Sequence, residues 1–238
     1  ANHGLPGVEV TTGPLGQGIS AAVGLAMAER HLAAVFNRPD FDIIDNFTFC
    51  LTGDGCLQEG ISSEACSLAG HLGLSKLIVL YDDNGITIDG ETHISFTEDV
   101  TKRYESYGWR VLAVDKGDDD LEGLWNAVAQ AKAFAAEDAQ ANPKGKPTLI
   151  RVKTIIGYGS TKQGTEGVHG APLGAADIEQ VKRKFGMDPT KSFHVDDAVL
   201  AEFRAAVAKG KVAYDAWSAK FDAYAAKHPD LAAEFKRR

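Results

Sequence analysis

The chain is short of cysteine. Its 238 residues hold Cys50, Cys56 and Cys66 and no others. These three form neither a disulfide framework nor the paired spacing of a metal-binding cysteine motif. A small disulfide-stapled fold is excluded, and a reduced, intracellular setting fits. Cys50 falls in a strand-like run and Cys66 on a helical one, so both read as core thiols. Basic excess is missing as well: 25 Lys and Arg stand against 33 Asp and Glu, a net charge of -8. Acidic residues are spread along the chain, which argues against a nucleic-acid or anionic-membrane surface. No apolar run approaches the ~20 residues that span a bilayer. The start of the chain shows no signal-peptide pattern, and internal repeats are absent. What is present is an ordinary globular composition, 44% hydrophobic, long enough to bury a real core.

Apolar runs and helical periodicities alternate along the sequence. A short extended piece, Val8 to Thr12, enters a Gly-rich loop, and a helix follows from about Ile19 to Phe36, with Ile19, Ala22, Val23, Ala26 and Met27 at helical spacing. Strands are expected at 47–52, 76–82, Trp109–Val114 and Thr148–Thr154, and helices at 58–72, Glu98–Tyr107, Leu121 to about Ala139 and 175–185. Asp118-Asp119-Asp120 reads as a helix entry, since carboxylates cap free N–H groups. Residues 142–147 read as a turn-rich loop. Such alternation predicts an α/β fold: a parallel sheet with helices on both faces. From about Asp196 to Arg238 an Ala-rich helical extension carries Val199, Phe203, Val207, Tyr214, Trp217, Phe221 and Tyr224 as one stripe. The domain division follows: 1–190 as the α/β domain and 191–238 as the extension.

In a parallel sheet, ligands bind beyond the C-terminal strand ends. Gly53-Asp54-Gly55 ends one strand, and Asp83-Asn84-Gly85-Ile86 ends the next. A carboxylate, an amide oxygen and loop carbonyls are the oxygen set that Mg²⁺ accepts while it holds phosphate oxygens. Asp54 supplies the charge, Asn84 a neutral oxygen, and Ile86 only its backbone carbonyl. Gly53 and Gly55 let backbone N–H groups approach a phosphate without a Cβ. Asp82 and Asp83 read as loop-shaping rather than as ligands. A long Gly-rich loop from Gly157 to Gly174 reaches the same edge and carries His169; loops of this length are usually functional or mobile. His31, His71, His93, His194 and His228 read as surface or packed histidines.

Five stretches together resemble the transketolase family: Val8 to Gly18, Gly53 to Ala65, Tyr81 to Gly90, Gly157-Tyr158-Gly159 and Val168 to Pro172. The resemblance covers nearly the whole chain. It implies a thiamine diphosphate-binding fold, with Mg²⁺ (Ca²⁺ as a possible substitute) bound by the side chains of Asp54 and Asn84 and the main chain of Ile86. It implies that Gly55 lies against the diphosphate, that Gly13 and Leu15 line the ring pocket, and that Ile88 wedges the cofactor into its bent shape. His169 resembles the histidine that reaches diphosphate and substrate. Glu59 and Glu64 resemble the glutamates that meet the partner subunit; on the residues alone they read equally well as first-turn helix residues.

The implied activity is transfer of a two-carbon ketol unit between sugar phosphates, in the pentose phosphate pathway or Calvin cycle. The implied partner is a second copy or a complementary pyrimidine-domain subunit. The implied compartment is the cytoplasm, or a plastid in a photosynthetic eukaryote. Relative to the family the chain is expected to be shortened at both ends, as a fragment, a split subunit or a degenerate relative. It is expected to be inactive alone, because the glutamate that activates the cofactor lies in a domain it does not contain. His3 lies near the position of a family histidine, but its surroundings match too poorly to carry the role. Alternatives are a formaldehyde-accepting transketolase, a deoxyxylulose-phosphate synthase (disfavoured by Thr87-Ile88-Asp89-Gly90), and a non-catalytic cofactor-binding or interaction module. A nicotinamide-binding domain is disfavoured because Gly13-Pro14-Leu15-Gly16-Gln17-Gly18 lacks the Gly-x-Gly-x-x-Gly spacing.

Overall fold

The computed structural model describes residues 9–141 and 144–238. His3, Val8 and the Asn142-Pro143 turn lie outside the described residues. Four strands form one parallel sheet in the order β1 (Thr48–Gly53), β2 (Leu77–Asp83), β6 (Thr148–Lys153), β5 (Arg110–Val114). β2 is the anchor, with Leu77, Ile78 and Val79 fully buried. Each such side chain contributes about 1.5–3 kcal/mol on burial. Its residues divide between the sheet's two faces. Leu77, Val79 and Tyr81 join a core with α1 (Gln17–Phe36), α3 (Gly60–Leu72) and α4 (Val100–Ser106). Ile78 and Leu80 join another with α5 (Leu121–Ala141). This is why β2 reads as an unbroken apolar run.

β1 differs. It lies at the sheet edge, and its residues alternate between buried and exposed. Cys50 faces the first core, whereas Phe49 is 51% and Leu51 81% exposed. Helices therefore cover both faces of the central strands, but one face of β1 is open among the described residues. The thiols of Cys50 and Cys66 are buried and free, and burial pushes both up to about 11.

The elements match the expected alternation, with four differences. The single helix expected over 58–72 is two. α2 (Asp54–Gln58) begins directly at the strand end, and Glu59, in extended conformation with ψ 132°, separates it from α3. Arg103 closes the end of α2 by donating to the Leu57 carbonyl at 3.1 Å. Second, a hairpin of β3 (Ile86–Thr87) and β4 (Gly90–Glu91) follows β2; two-residue strands are too short to leave a period in the sequence. Third, only Asp120 of the Asp triplet caps α5, accepting from Gly123 N–H at 2.7 Å. Asp118 and Asp119 instead accept from Ile155 N–H and the Tyr158 hydroxyl, both at 2.8 Å. Fourth, α1, at a mean hydropathy of 1.3, is long and apolar enough by length and composition to cross a membrane. This corrects the expectation that no run reaches that length, although Ile19, Ala22, Val23 and Ala26 pack into the first core.

The chain divides into two compact units. One takes the described residues up to Ala28 together with Asn46–Gly186, including α6 (Ala175–Lys184). The other takes Glu29–Asp45 and Met187–Arg238, with α7 (Asp197–Lys227) and α8 (Pro229–Arg237). In this second unit Phe41, Ile43, Phe221, Tyr224 and Ala232 form a core, flanked by Trp217 and Phe235. The Tyr224 hydroxyl donates to the Phe36 carbonyl at 2.8 Å, and Trp217 donates to the Ile43 carbonyl at 3.0 Å. The expected α7 stripe is split. Its C-terminal half is packed, whereas Val199, Phe203, Val207 and Tyr214 are exposed.

Candidate functional site

Strand register brings three chain ends to one edge. Gly53 lies opposite Asp82, and Asp83 lies opposite Lys153. The chain leaves β1 straight into α2, so Asp54 is both a strand-end residue and the first residue of a helix. A carboxylate there is favoured by the helix's free N–H groups. Asp54 is only 3% exposed. One carboxylate oxygen accepts from the Tyr81 hydroxyl, and the other from Gly85 N–H at 2.9 Å. Among the described residues no cation pairs with it directly.

Magnitudes decide how this carboxylate is poised. Burying an ion costs several kcal/mol, and each hydrogen bond to a charged group returns about 1.5–3 kcal/mol. Two neutral donors therefore leave a deficit. Burial accordingly raises the Asp54 carboxyl above its usual range, Tyr81 and Gly85 pull it down, the negative charge of Asp83 adds to the rise, and Lys153 opposes it. The Tyr81 phenol is pushed up by burial and then by Asp54. A buried anion short of positive charge suits a cation.

The neighbouring loop is built to present oxygens. Gly85 adopts φ +73°, a left-handed conformation that favours glycine, with its N–H on Asp54 and its carbonyl accepting from Thr92 N–H at 2.9 Å. Hydrogen-bonded pairs alternate along an antiparallel ladder. A bonded 85/92 pair therefore turns the N–H and carbonyl of Ile86 away from β4. The Ile86 N–H meets Asn84 Oδ1 at 2.9 Å, and Asn84 Nδ2 donates to Asp82 at 3.1 Å. Asp82 also accepts from the Thr154 hydroxyl. Asp83 pairs with Arg151 at 3.1 Å and Lys153 at 3.3 Å. Asp82 thus shapes the loop, as the sequence suggests, whereas Asp83 is tied to β6. Asp54, Asn84 and the outward Ile86 carbonyl form an oxygen set with one negative charge, the donor chemistry of a hard divalent cation. Among the described residues there is no cluster of three or more His, Cys, Asp or Glu suited to a metal.

The Gly-rich loop lies beside this corner. A Cβ at Gly55 would meet Leu15 Cδ1 at 3.2 Å, and one at Gly16 would meet Glu59 Cβ at 2.8 Å. Gly13 and Gly53 have nothing within 4 Å of an added Cβ, which leaves room over their backbones. Leu15 and Ile88 are exposed, apolar side chains. Glu59 and Glu64 are exposed. Glu59 caps α3 through its carbonyl, which accepts Ser62 N–H at 3.0 Å, and neither glutamate lies in that helix's first turn. The first-turn reading is thereby corrected. His169 is exposed and follows a short 3-10 turn, Glu166–Val168, and among the described residues the hydrogen bonds of Asp54 and Asn84 go to other residues.

The structure thus joins Asp54, Asn84 and Ile86 into one corner, sets Gly55 and Leu15 side by side, and leaves His169, Ile88, Glu59 and Glu64 open. Sequence reading assigned no role to Tyr81 or Gly85. Tyr81 is hidden inside an apolar run. Gly85 carried a legible signal, as a glycine directly after an Asn at a strand end.

Residues 2–238 match the family model described as transketolase, thiamine diphosphate binding domain. Transketolase 1 of Saccharomyces cerevisiae is 57% identical over 235 residues, covering 98% of this chain and 33% of that protein. A transketolase of Nostoc sp. is 53% identical over 97% of this chain and 33% of its own length. Among solved structures, transketolase from Leishmania mexicana superposes with a TM-score of 0.90 at 54% identity, over 97% of this chain and 33% of that one. A Pichia stipitis transketolase in complex with sedoheptulose-7-phosphate gives 0.91 at 50% identity, over 98% and 33%. The chain spans about a third of the length of these relatives. These likenesses fit the transketolase reading rather than its alternatives. The chain belongs to the transketolase family, in the part that forms its thiamine diphosphate-binding domain.

Proposed function

We propose that this chain anchors the diphosphate end of thiamine diphosphate through Mg²⁺, in a protein that transfers two-carbon ketol units between sugar phosphates. One observation carries the reading: the buried Asp54 carboxylate, answered among the described residues by neutral donors, bonds to the loop that presents Asn84 and Ile86. Asp54 and Asn84 would hold the ion by side chain and Ile86 by its carbonyl, and Ca²⁺ would substitute. Gly53 and Gly55 would admit the phosphates. Gly13, Leu15 and Ile88 would flank the rings, and His169 would swing between diphosphate and substrate. When bound, thiamine diphosphate supplies the carbon nucleophile for cleaving the bond beside a ketose carbonyl. The residues of this chain orient the cofactor and neutralise its charge. Exposed Glu59 and Glu64 would meet a second subunit. That a relative was solved with a sugar phosphate supports the substrate class.

Calorimetric titration of thiamine diphosphate, with and without Mg²⁺, tests the reading. Wild type should bind saturably only with metal, and Asp54→Ala should weaken binding by more than about 100-fold, beyond the 10–100-fold typical of partners that merely orient a ligand. Binding that ignores both metal and mutation would overturn it.

A further inference from the structure

We propose that Tyr81 is a positioning residue for metal binding, its phenol fixing the orientation of the Asp54 carboxylate. The proposal rests on the reading of Asp54 as a metal ligand. Tyr81 lies in β2 opposite Thr52, and its ring is buried in the core with α1, α3 and α4. Packing alone would be served by phenylalanine. The hydroxyl is the part that needs explaining, because a buried tyrosine oxygen requires a partner. Its partner is Asp54, across 27 residues of sequence.

The two donors engage different oxygens of that carboxylate, Tyr81 on Oδ1 and Gly85 N–H on Oδ2. A carboxylate held at both ends cannot rotate about its Cβ–Cγ bond without breaking one of them. The Gly85 donor sits on the loop that carries Asn84 and Ile86, so it ties ligand to ligand. The Tyr81 donor sits on the rigid central strand, so it ties ligand to scaffold. Loss of the phenol would leave Asp54 referenced only to a loop. Mg²⁺ requires near-ideal octahedral geometry, whereas Ca²⁺ accepts irregular ligand sets. A loosened carboxylate therefore penalises Mg²⁺ more than Ca²⁺, which distinguishes orientation from bulk stability.

The test measures the Mg²⁺ and Ca²⁺ concentrations that half-saturate thiamine diphosphate binding. It compares wild type, Tyr81→Phe and Asp54→Ala in the native full-length polypeptide, with the ligand-free unfolding midpoint of each. Tyr81→Phe should raise the Mg²⁺ requirement about tenfold, within the range for outer partners of metal ligands. It should raise the Ca²⁺ requirement distinctly less, with the ring's packing retained. An unchanged Mg²⁺ requirement in Tyr81→Phe, with binding abolished in Asp54→Ala, overturns the positioning role and leaves the ligand reading standing. Equal weakening for both ions in step with a lowered ligand-free midpoint also overturns it, since that is the mark of lost packing. Unchanged metal dependence in both variants removes the ligand reading and this proposal together.

Discussion

The Asp54 corner and the loop over residues 154–174 reach the same sheet edge and are held in opposite ways. At the corner, side chains are the anchors: Asp54 joins Tyr81 and Gly85, and Asn84 joins Ile86 and Asp82. In the loop, anchors hold the frame and leave the His169 side chain out. Asp177 in α6, itself buried, accepts from the Ser160 hydroxyl at 2.6 Å and from Thr161 N–H at 3.0 Å. Gln180 ties Asp177 to the Gly159 carbonyl, at 2.7 and 2.8 Å. His169 stays exposed. The corner is tied through its side chains, whereas the loop offers a positioned backbone with an exposed imidazole. If the proposed roles hold, the first arrangement would suit an ion that tolerates little misplacement, and the second a side chain that reaches more than one partner.

Gly85→Val should break this contrast most. A β-branched residue at φ +73° stores about 1–3 kcal/mol of backbone strain and displaces the amide that Asp54 needs. Urea unfolding should register that loss, and the Mg²⁺ requirement for thiamine diphosphate should rise with it. Next comes Asp177→Asn, which removes the charge from the loop's main tether. Tryptic cleavage after exposed Lys162 should accelerate about tenfold, as expected for losing one charge-assisted bond, with the Mg²⁺ requirement unchanged. If cofactor binding also weakened, the two regions would not be separate devices.

Acid sharpens the same point. The Ser160 hydroxyl first, then Thr161 N–H and Gln180, hold the Asp177 carboxyl at about 2, below its usual range. A carboxyl lowered on folding stabilises above its unfolded value of about 3.9 and loses that stabilisation as pH falls toward 2. Hydrogen exchange at the Thr161 amide should therefore show protection above pH 4 that declines between pH 4 and pH 2. The smallest effect is expected from His169→Ala. An exposed side chain away from packing changes stability by no more than about 0.5 kcal/mol, so the ligand-free melting curve should stay in place. A shift in it would show that His169 is packed into the corner.

Much of this was legible beforehand because it follows from period and punctuation. Leu77 to Tyr81 reads as a strand since both its faces are buried, and Asp54 and Asn84 stand out as polar residues at the ends of such runs. What escaped was carried by tertiary contact. The break at Glu59 depends on Arg103 closing α2 from 46 residues away. The parting of Asp118 and Asp119 from Asp120 depends on the long loop arriving beside them. The hydroxyl of Tyr81 has a purpose only once β1 and β2 are paired.

The hydrogen bonds of Gly85 also limit where this lineage can change length. Its amide belongs to α2 and its carbonyl to Thr92, so one residue gained or lost between Asp83 and Thr92 would tear the hairpin from the helix. Insertions and deletions among relatives should therefore spare the hairpin.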